Sequence, residues 1–127
     1  MKPPLEKIML VEDDGDIRTV AAMSLEMVGG LNVLACESGE AALDAIAAFG
    51  PQLVLLDVMM PGMNGPEVLA RMRARPEGAQ VPVAFMTAKV QPEEIRALLA
   101  LGVIDVIAKP FDPMTLPDRV KALWGRE

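Results

Sequence analysis

Five short apolar runs, none alternating with polar residues, set the strongest limit on how this chain can fold. They are Lys7 to Val11, Asn32 to Cys36, Leu53 to Leu56, Val81 to Met86 and Ile104 to Ile107. A strand wetted on one face alternates apolar with polar residues, whereas a strand covered on both faces does not. These runs therefore predict strands of a parallel sheet with helices on each side. The segments between them carry helical spacing. The chain reads as β-α five times over, a doubly wound three-layer α/β sandwich. No composition shift or low-complexity tract interrupts it, so we expect one domain over residues 1–127 with no output domain.

The helical segments have start and stop signals. Ile17, Val20, Ala21, Ser24, Leu25 and Val28 form one apolar face, capped by Asp14 and stopped by Gly29-Gly30. Ala42, Ile46 and Phe49 form a second, introduced by Ser38-Gly39-Glu40 and stopped by Gly50-Pro51. Val68, Leu69 and Met72 form a third, with Asn64 as cap and Glu67 three residues on. Ile95, Leu98 and Leu99 form a fourth, with Pro92 in its first turn and Gly102 past its end. For the last helix Thr115 is the expected cap, and Leu116, Val120 and Leu123 face the core.

Composition narrows the function. Aromatics are 3% and Tyr is absent, so the core must come from Ala, Val, Leu, Ile and Met. A net charge of -6 argues against broad nucleic-acid or anionic-membrane binding. The single cysteine, Cys36, is expected as a small buried residue at a strand end, which suits a reducing compartment. Met1-Lys2-Pro3-Pro4 does not open a signal peptide and no run approaches a membrane span, so the expected location is cytoplasmic. His is absent, which removes His-based zinc sites and Ser-His-Asp catalysis. No Walker-type run or GxGxxG occurs, so nucleotide binding is not expected.

The chemistry-bearing residues follow the apolar runs, where a parallel sheet gathers its active site. Asp57 ends Leu53-Val54-Leu55-Leu56, and a carboxylate there is costly to bury unless paired or metal-bound. We read it as a nucleophile toward phosphorus. Glu12 and Asp13 end the first run. Asp13 is expected to ligate a cation directly and Glu12 through metal-bound water, with the backbone carbonyl of Met59 completing the protein's share. Hard oxygen donors few in number suit Mg²⁺. The Thr87 hydroxyl is placed to donate to a phosphoryl oxygen, with small Ala88 beside it leaving room. Lys109, before Pro110-Phe111, can offset the carboxylates before reaction and the phosphoryl charge after it. The bond before Pro110 is one that proline allows to be cis.

Together, Val-Glu-Asp-Asp at 11–14, Leu-Asp-Val-Met-Met-Pro-Gly-Met-Asn-Gly at 56–65, Met-Thr-Ala-Lys at 86–89 and Ala-Lys-Pro-Phe at 108–111 closely resemble the receiver domain of two-component response regulators, over nearly the whole chain. The resemblance implies a five-stranded parallel, flavodoxin-like fold and Mg²⁺. It implies phosphoryl transfer to Asp57 from a histidine on a partner kinase or phosphotransfer protein. Thr87 then looks like the switch hydroxyl and Lys109 like the phosphate-contacting lysine. Phosphorylation would reshape the face of the fourth helix, fifth strand and fifth helix, a population shift read by an unknown downstream protein. The chain is expected to be a monomer or a phosphorylation-dependent dimer. Ile17, Arg18, Pro110 and Phe111 correspond to the family's kinase-docking surface.

Two departures from the family pattern matter. Val106 stands where many receivers have Tyr or Phe, so a weaker or differently placed surface response is expected. Met59 and Lys89 occupy the positions that flank the attacking water, and a bulky apolar Met59 implies a long-lived phosphoryl group. Two other readings compete. An aspartate-nucleophile phosphohydrolase of the haloacid dehalogenase kind usually wants a second Asp where Met59 stands. A phosphorylation-independent interaction module would not need the complete set of Glu12, Asp13, Asp57, Thr87 and Lys109. The leading reading is a stand-alone switch that acts by binding another protein; a relay carrier between two histidines would have the same sequence features.

Overall fold

The computed structural model describes residues 2–126; Met1 and Glu127, the ends of the expected 1–127 domain, lie outside them. The elements are β1 (Lys7–Val11), α1 (Gly15–Met23), β2 (Asn32–Cys36), α2 (Gly39–Phe49), β3 (Leu53–Asp57), α3 (Gly65–Arg73), β4 (Val83–Thr87), α4 (Pro92–Leu99), β5 (Asp105–Ala108) and α5 (Leu116–Gly125). A π-helical turn over Ser24–Val28 continues α1. The five strands form one sheet in the order β2-β1-β3-β4-β5, every pair parallel. This is the doubly wound five-stranded arrangement that the uniform apolar runs predict.

Successive strand residues serve opposite faces. Met9, Val11, Val54, Leu56 and Phe85 pack under α2 and α3, against Ile46, Val68 and Met72. Ile8, Leu10, Leu55 and Met86 pack on the other side, against Leu25 of the π turn and Leu116, Val120 and Leu123 of α5. Two cores on one sheet explain why the strands carry no polar alternation. The helix starts follow their signals. Asp14 accepts from the amides of Asp16 and Ile17, and Ser38 from that of Ala41. Asn64 and Glu67 complete a capping box.

The differences from expectation have local causes. β3 runs one residue further, taking in Asp57. β4 begins at Val83, not Val81, because Pro82 has no amide to donate, although its carbonyl accepts from Val54. β5 is displaced by one residue, to Asp105–Ala108. In the first helix Ala21, Ser24 and Leu25 are buried, but Val20 and Val28 stand 45% and 50% exposed. The π turn, in which the Gly29 amide reaches the Ser24 carbonyl, places an extra residue in the turn and swings the later side chains off the core. On α4, Ile95 and Leu98 are half-buried and Leu99 is exposed, so the helix buries no residue fully. Thr115 does precede α5, yet its side chain caps nothing. Asp112 organises that turn instead: its carboxylate accepts from the Met114 amide and its carbonyl from the Leu116 amide. Pro117 sits in the first helical turn, where its missing N–H costs nothing.

Two long-range ties complete the frame. The Ser24 hydroxyl donates to the Pro113 carbonyl, fastening the π turn to the β5–α5 loop. At the amino edge of the sheet, the Lys2 ammonium donates to the Trp124 carbonyl at 2.9 Å and lies 4.0 Å above its ring, while the Trp124 indole donates to the Pro3 carbonyl at 2.9 Å.

Candidate phosphoacceptor site

Strand register brings the predicted residues to one edge. Val11 pairs with Leu56, Asp57 with Met86 and Thr87 with Ala108. Glu12, Asp57, Thr87 and Lys109 therefore all lie at the carboxyl end of the sheet, beside the point between β1 and β3 where the strand order reverses. Across each gap the loops stay in register by backbone bonds: the amide of Glu12 donates to Cys36, that of Val58 to Met86 and that of Lys109 to Thr87. The Lys109–Pro110 bond is cis.

Glu12 is fully buried and Asp57 is 2% exposed. The Lys109 ammonium lies between them, 2.9 Å from Glu12 Oε1 and 3.0 Å from Asp57 Oδ1. Two buried carboxylates thus share one cation. Burial pushes the Asp57 carboxyl up to about 7, and the neighbouring Glu12 carboxylate pushes the same way; Lys109 offsets only part of this. For Lys109, burial works to lower the ammonium's pKa, but its bonds to Glu12 and Asp57 prevail and the net shift is upward.

Asp13 is exposed, and carboxylate oxygens of Glu12, Asp13 and Asp57 come within 4.8 Å of one another. This all-oxygen donor set fits a hard divalent cation. The loop that carries it is tied down. Glu12 Oε2 accepts from the Asp14 amide, and Arg18 Nη1 donates to the carbonyls of Glu12 and Asp13 at 2.9 and 3.3 Å. Arg18, expected on a docking surface, is thus engaged in holding the acidic loop.

Thr87 is buried, its hydroxyl accepting from the Lys89 amide at 3.0 Å. Met59, two residues beyond Asp57, is 59% exposed and lines a cavity of about 280 Å³ with Val58, Thr87, Lys89, Glu94 and Leu98. Val106 is buried on β5. Ile17 and Phe111 are half-buried and, with Val20 and Pro110, line an apolar hollow beside Lys109.

One residue of the site escaped the sequence reading. The Gly65 amide donates to the Val58 carbonyl, and a Cβ at this position would lie 2.6 Å from the Asp57 carbonyl oxygen. Only glycine lets α3 start so close to β3. Its signal was present, a glycine directly after a helix cap, but a cap-adjacent glycine alone does not say what approaches it.

The chain matches the response regulator receiver domain over residues 8–121. The phosphate regulon transcriptional regulatory protein PhoB of Pseudomonas aeruginosa is 35% identical over 119 residues, which cover 94% of this chain and 52% of PhoB. The DNA-binding response regulator MtrA of Mycolicibacterium paratuberculosis is 36% identical over 121 residues, 95% of this chain and 52% of MtrA. The chain spans about half the length of these curated relatives. Among solved structures, the chemotaxis response regulator CheY4 of Vibrio cholerae superposes with a TM-score of 0.85 at 26% identity, over 94% of this chain and 98% of that one.

Proposed function

This chain belongs to the response regulator receiver domain family of two-component signalling, and on that premise we propose that it accepts a phosphoryl group on Asp57 from a partner's phosphohistidine. The observation that carries this reading is the buried Glu12–Lys109–Asp57 cluster at the carboxyl edge of the sheet. Its residues form a route for the transfer. An Asp57 carboxylate oxygen attacks phosphorus, the P–N bond to the donor imidazole breaks, and the imidazole nitrogen keeps the electron pair and takes up a proton. Lys109 stays within reach of both Glu12 and Asp57, and its ammonium offsets the charge that arrives. Thr87, freed from the Lys89 amide, can donate its hydroxyl proton to a phosphoryl oxygen.

Glu12, Asp13 and Asp57, with the Met59 carbonyl, are the residues proposed to hold Mg²⁺. When bound, the ion would neutralise the carboxylates and screen the phosphoryl oxygens. The residues 1–127 are proposed to act as one receiver unit that switches binding to a downstream protein rather than turning over a substrate. We place it in the cytoplasm; no helix among the described residues is long and apolar enough to cross a membrane. The donor, a histidine kinase or histidine phosphotransfer protein, is proposed to dock along Ile17, Val20, Pro110 and Phe111, beside Lys109.

The test is intact mass after treatment with acetyl phosphate, with and without Mg²⁺, on wild type and Asp57→Asn. A Mg²⁺-dependent gain of one phosphoryl group in wild type alone is expected. No gain under any condition overturns the reading in favour of a phosphorylation-independent module.

A further inference from the structure

Among the described residues, Met59 is the one methionine that both stands in solvent and lines a cavity with Thr87. Met9, Met60, Met63, Met72 and Met86 are buried, while Met23, Met27 and Met114 are exposed on the first helix, its π turn and the β5–α5 loop. The Met59 side chain instead walls the cavity of about 280 Å³ that has Thr87 in its lining, with Lys89 and Glu94 the only charged groups there. Val58, Leu98 and Ala97 make the rest of that lining apolar. Met59 and the Thr87 hydroxyl proposed to meet the phosphoryl group thus open onto one solvent space.

We propose that Met59 is an oxidation site that sets the lifetime of the phosphoryl group on Asp57; this rests on the phosphoacceptor reading above. The oxidant is hydrogen peroxide. The thioether sulfur attacks the peroxide oxygen, the O–O bond breaks, a sulfoxide forms and water leaves. The sulfur is oxidised by two electrons and the peroxide is reduced. The product replaces an apolar wall with a strong, fixed hydrogen-bond acceptor. In a cavity shared with Thr87 and Lys89, that oxygen holds a water molecule beside the acceptor and offers the Lys89 ammonium a partner. The reduced thioether does neither. Oxidation therefore shortens the life of the aspartyl phosphate, and reduction by a methionine sulfoxide reductase restores it.

The experiment uses wild type and Met59→Leu, which keeps apolar bulk but cannot be oxidised to a sulfoxide. Each is treated with hydrogen peroxide or left untreated, phosphorylated with acetyl phosphate and Mg²⁺, desalted, and followed by intact mass; peptide mapping reports which methionines carry oxygen. Oxidised wild type is expected to lose the phosphoryl group on the order of three- to tenfold faster than untreated wild type, the span that one gained hydrogen bond to the attacking water corresponds to. The ratio for Met59→Leu is expected to stay near one, although its other exposed methionines oxidise, and reductase treatment of wild type is expected to reverse the change. An unchanged decay with Met59 shown to be oxidised overturns the proposal, as does an equal acceleration in Met59→Leu. So does a Met59 that stays reduced at doses that convert Met27. A failure of untreated wild type to gain the phosphoryl group removes the phosphoacceptor reading itself, and this proposal with it.

Discussion

Asp57→Asn should make the metal-free protein more stable at alkaline pH while removing the proposed phosphoacceptor. The native Asp57 carboxyl is held up at about 7, against an ordinary value of 3.8, chiefly by burial. Between those values the native state keeps a proton that the unfolded chain has released, so stability falls as pH rises through the window and levels off above it. The whole interval corresponds to an upper bound of about 4 kcal/mol, and the part between pH 5 and pH 7 to about 2.7 kcal/mol. The amide of the variant never ionises, and Lys109 still has Glu12 at 2.9 Å, so no buried cation is orphaned. The amide needs partners of its own, which takes back part of the gain. The expected advantage of the variant over wild type is therefore about 2 kcal/mol larger near pH 8.5 than near pH 5. Urea denaturation in EDTA at both pH values, followed by circular dichroism, measures it. Adding Mg²⁺ at the higher pH should stabilise wild type more than the variant, since the ion displaces the proton from an all-oxygen site. A variant less stable than wild type near pH 8.5, or a difference that shrinks as pH rises, would refute the electrostatic account of the cluster.

Three further outcomes follow from the same geometry. Lys109→Met leaves Glu12 and Asp57 buried without their cation, and should cost about 3 kcal/mol at neutral pH by urea denaturation, with part recovered on acidification. Gly65→Ala drives a methyl group against the Asp57 carbonyl, a backbone atom that cannot rotate away; it should lower stability by about 1–3 kcal/mol and slow uptake from acetyl phosphate, measured by thermal melting and intact mass. Amide hydrogen exchange should be faster in α4 than in α2, α3 or α5, because α4 buries no residue fully.

The parts of the fold legible in the sequence are those governed by burial on both sides of the sheet. β1 and β2 have the bounds that their apolar runs suggest, because nothing inside or beside those runs interrupts the ladder. Elsewhere a single neighbour decides the bounds. Pro82 withholds an amide and delays β4, and Asp57 and Thr87 extend their strands because their backbones still have partners at Val58–Met86 and Lys109–Thr87. The first helix misled because periodicity assumes regular turns; the π turn is held by Ser24 and Gly29, an arrangement that spacing cannot show. Thr115 holds the cap position of α5 without a side-chain bond, because the turn before it is organised by Asp112, whose carboxylate takes the Met114 amide. At the site, the acidic residues and Lys109 were visible as residue types placed after strands. Their pairing was not, since it depends on strand order. Gly65 and Arg18 act through backbone atoms of other elements, and nothing in their own neighbourhood of the chain announces it.

The clasp between Lys2, Pro3 and Trp124 has a topological consequence. It lies at the sheet edge opposite Asp57 and brings two stretches 121 positions apart into direct contact, so the described fold is nearly a closed ring. A short peptide across that contact, with the ring cut instead at the exposed Leu101–Gly102 turn, would preserve every strand pair and every side chain around Lys109. The cluster around Lys109 depends on which strands are neighbours and which way they point, and an opening at Leu101–Gly102 alters neither.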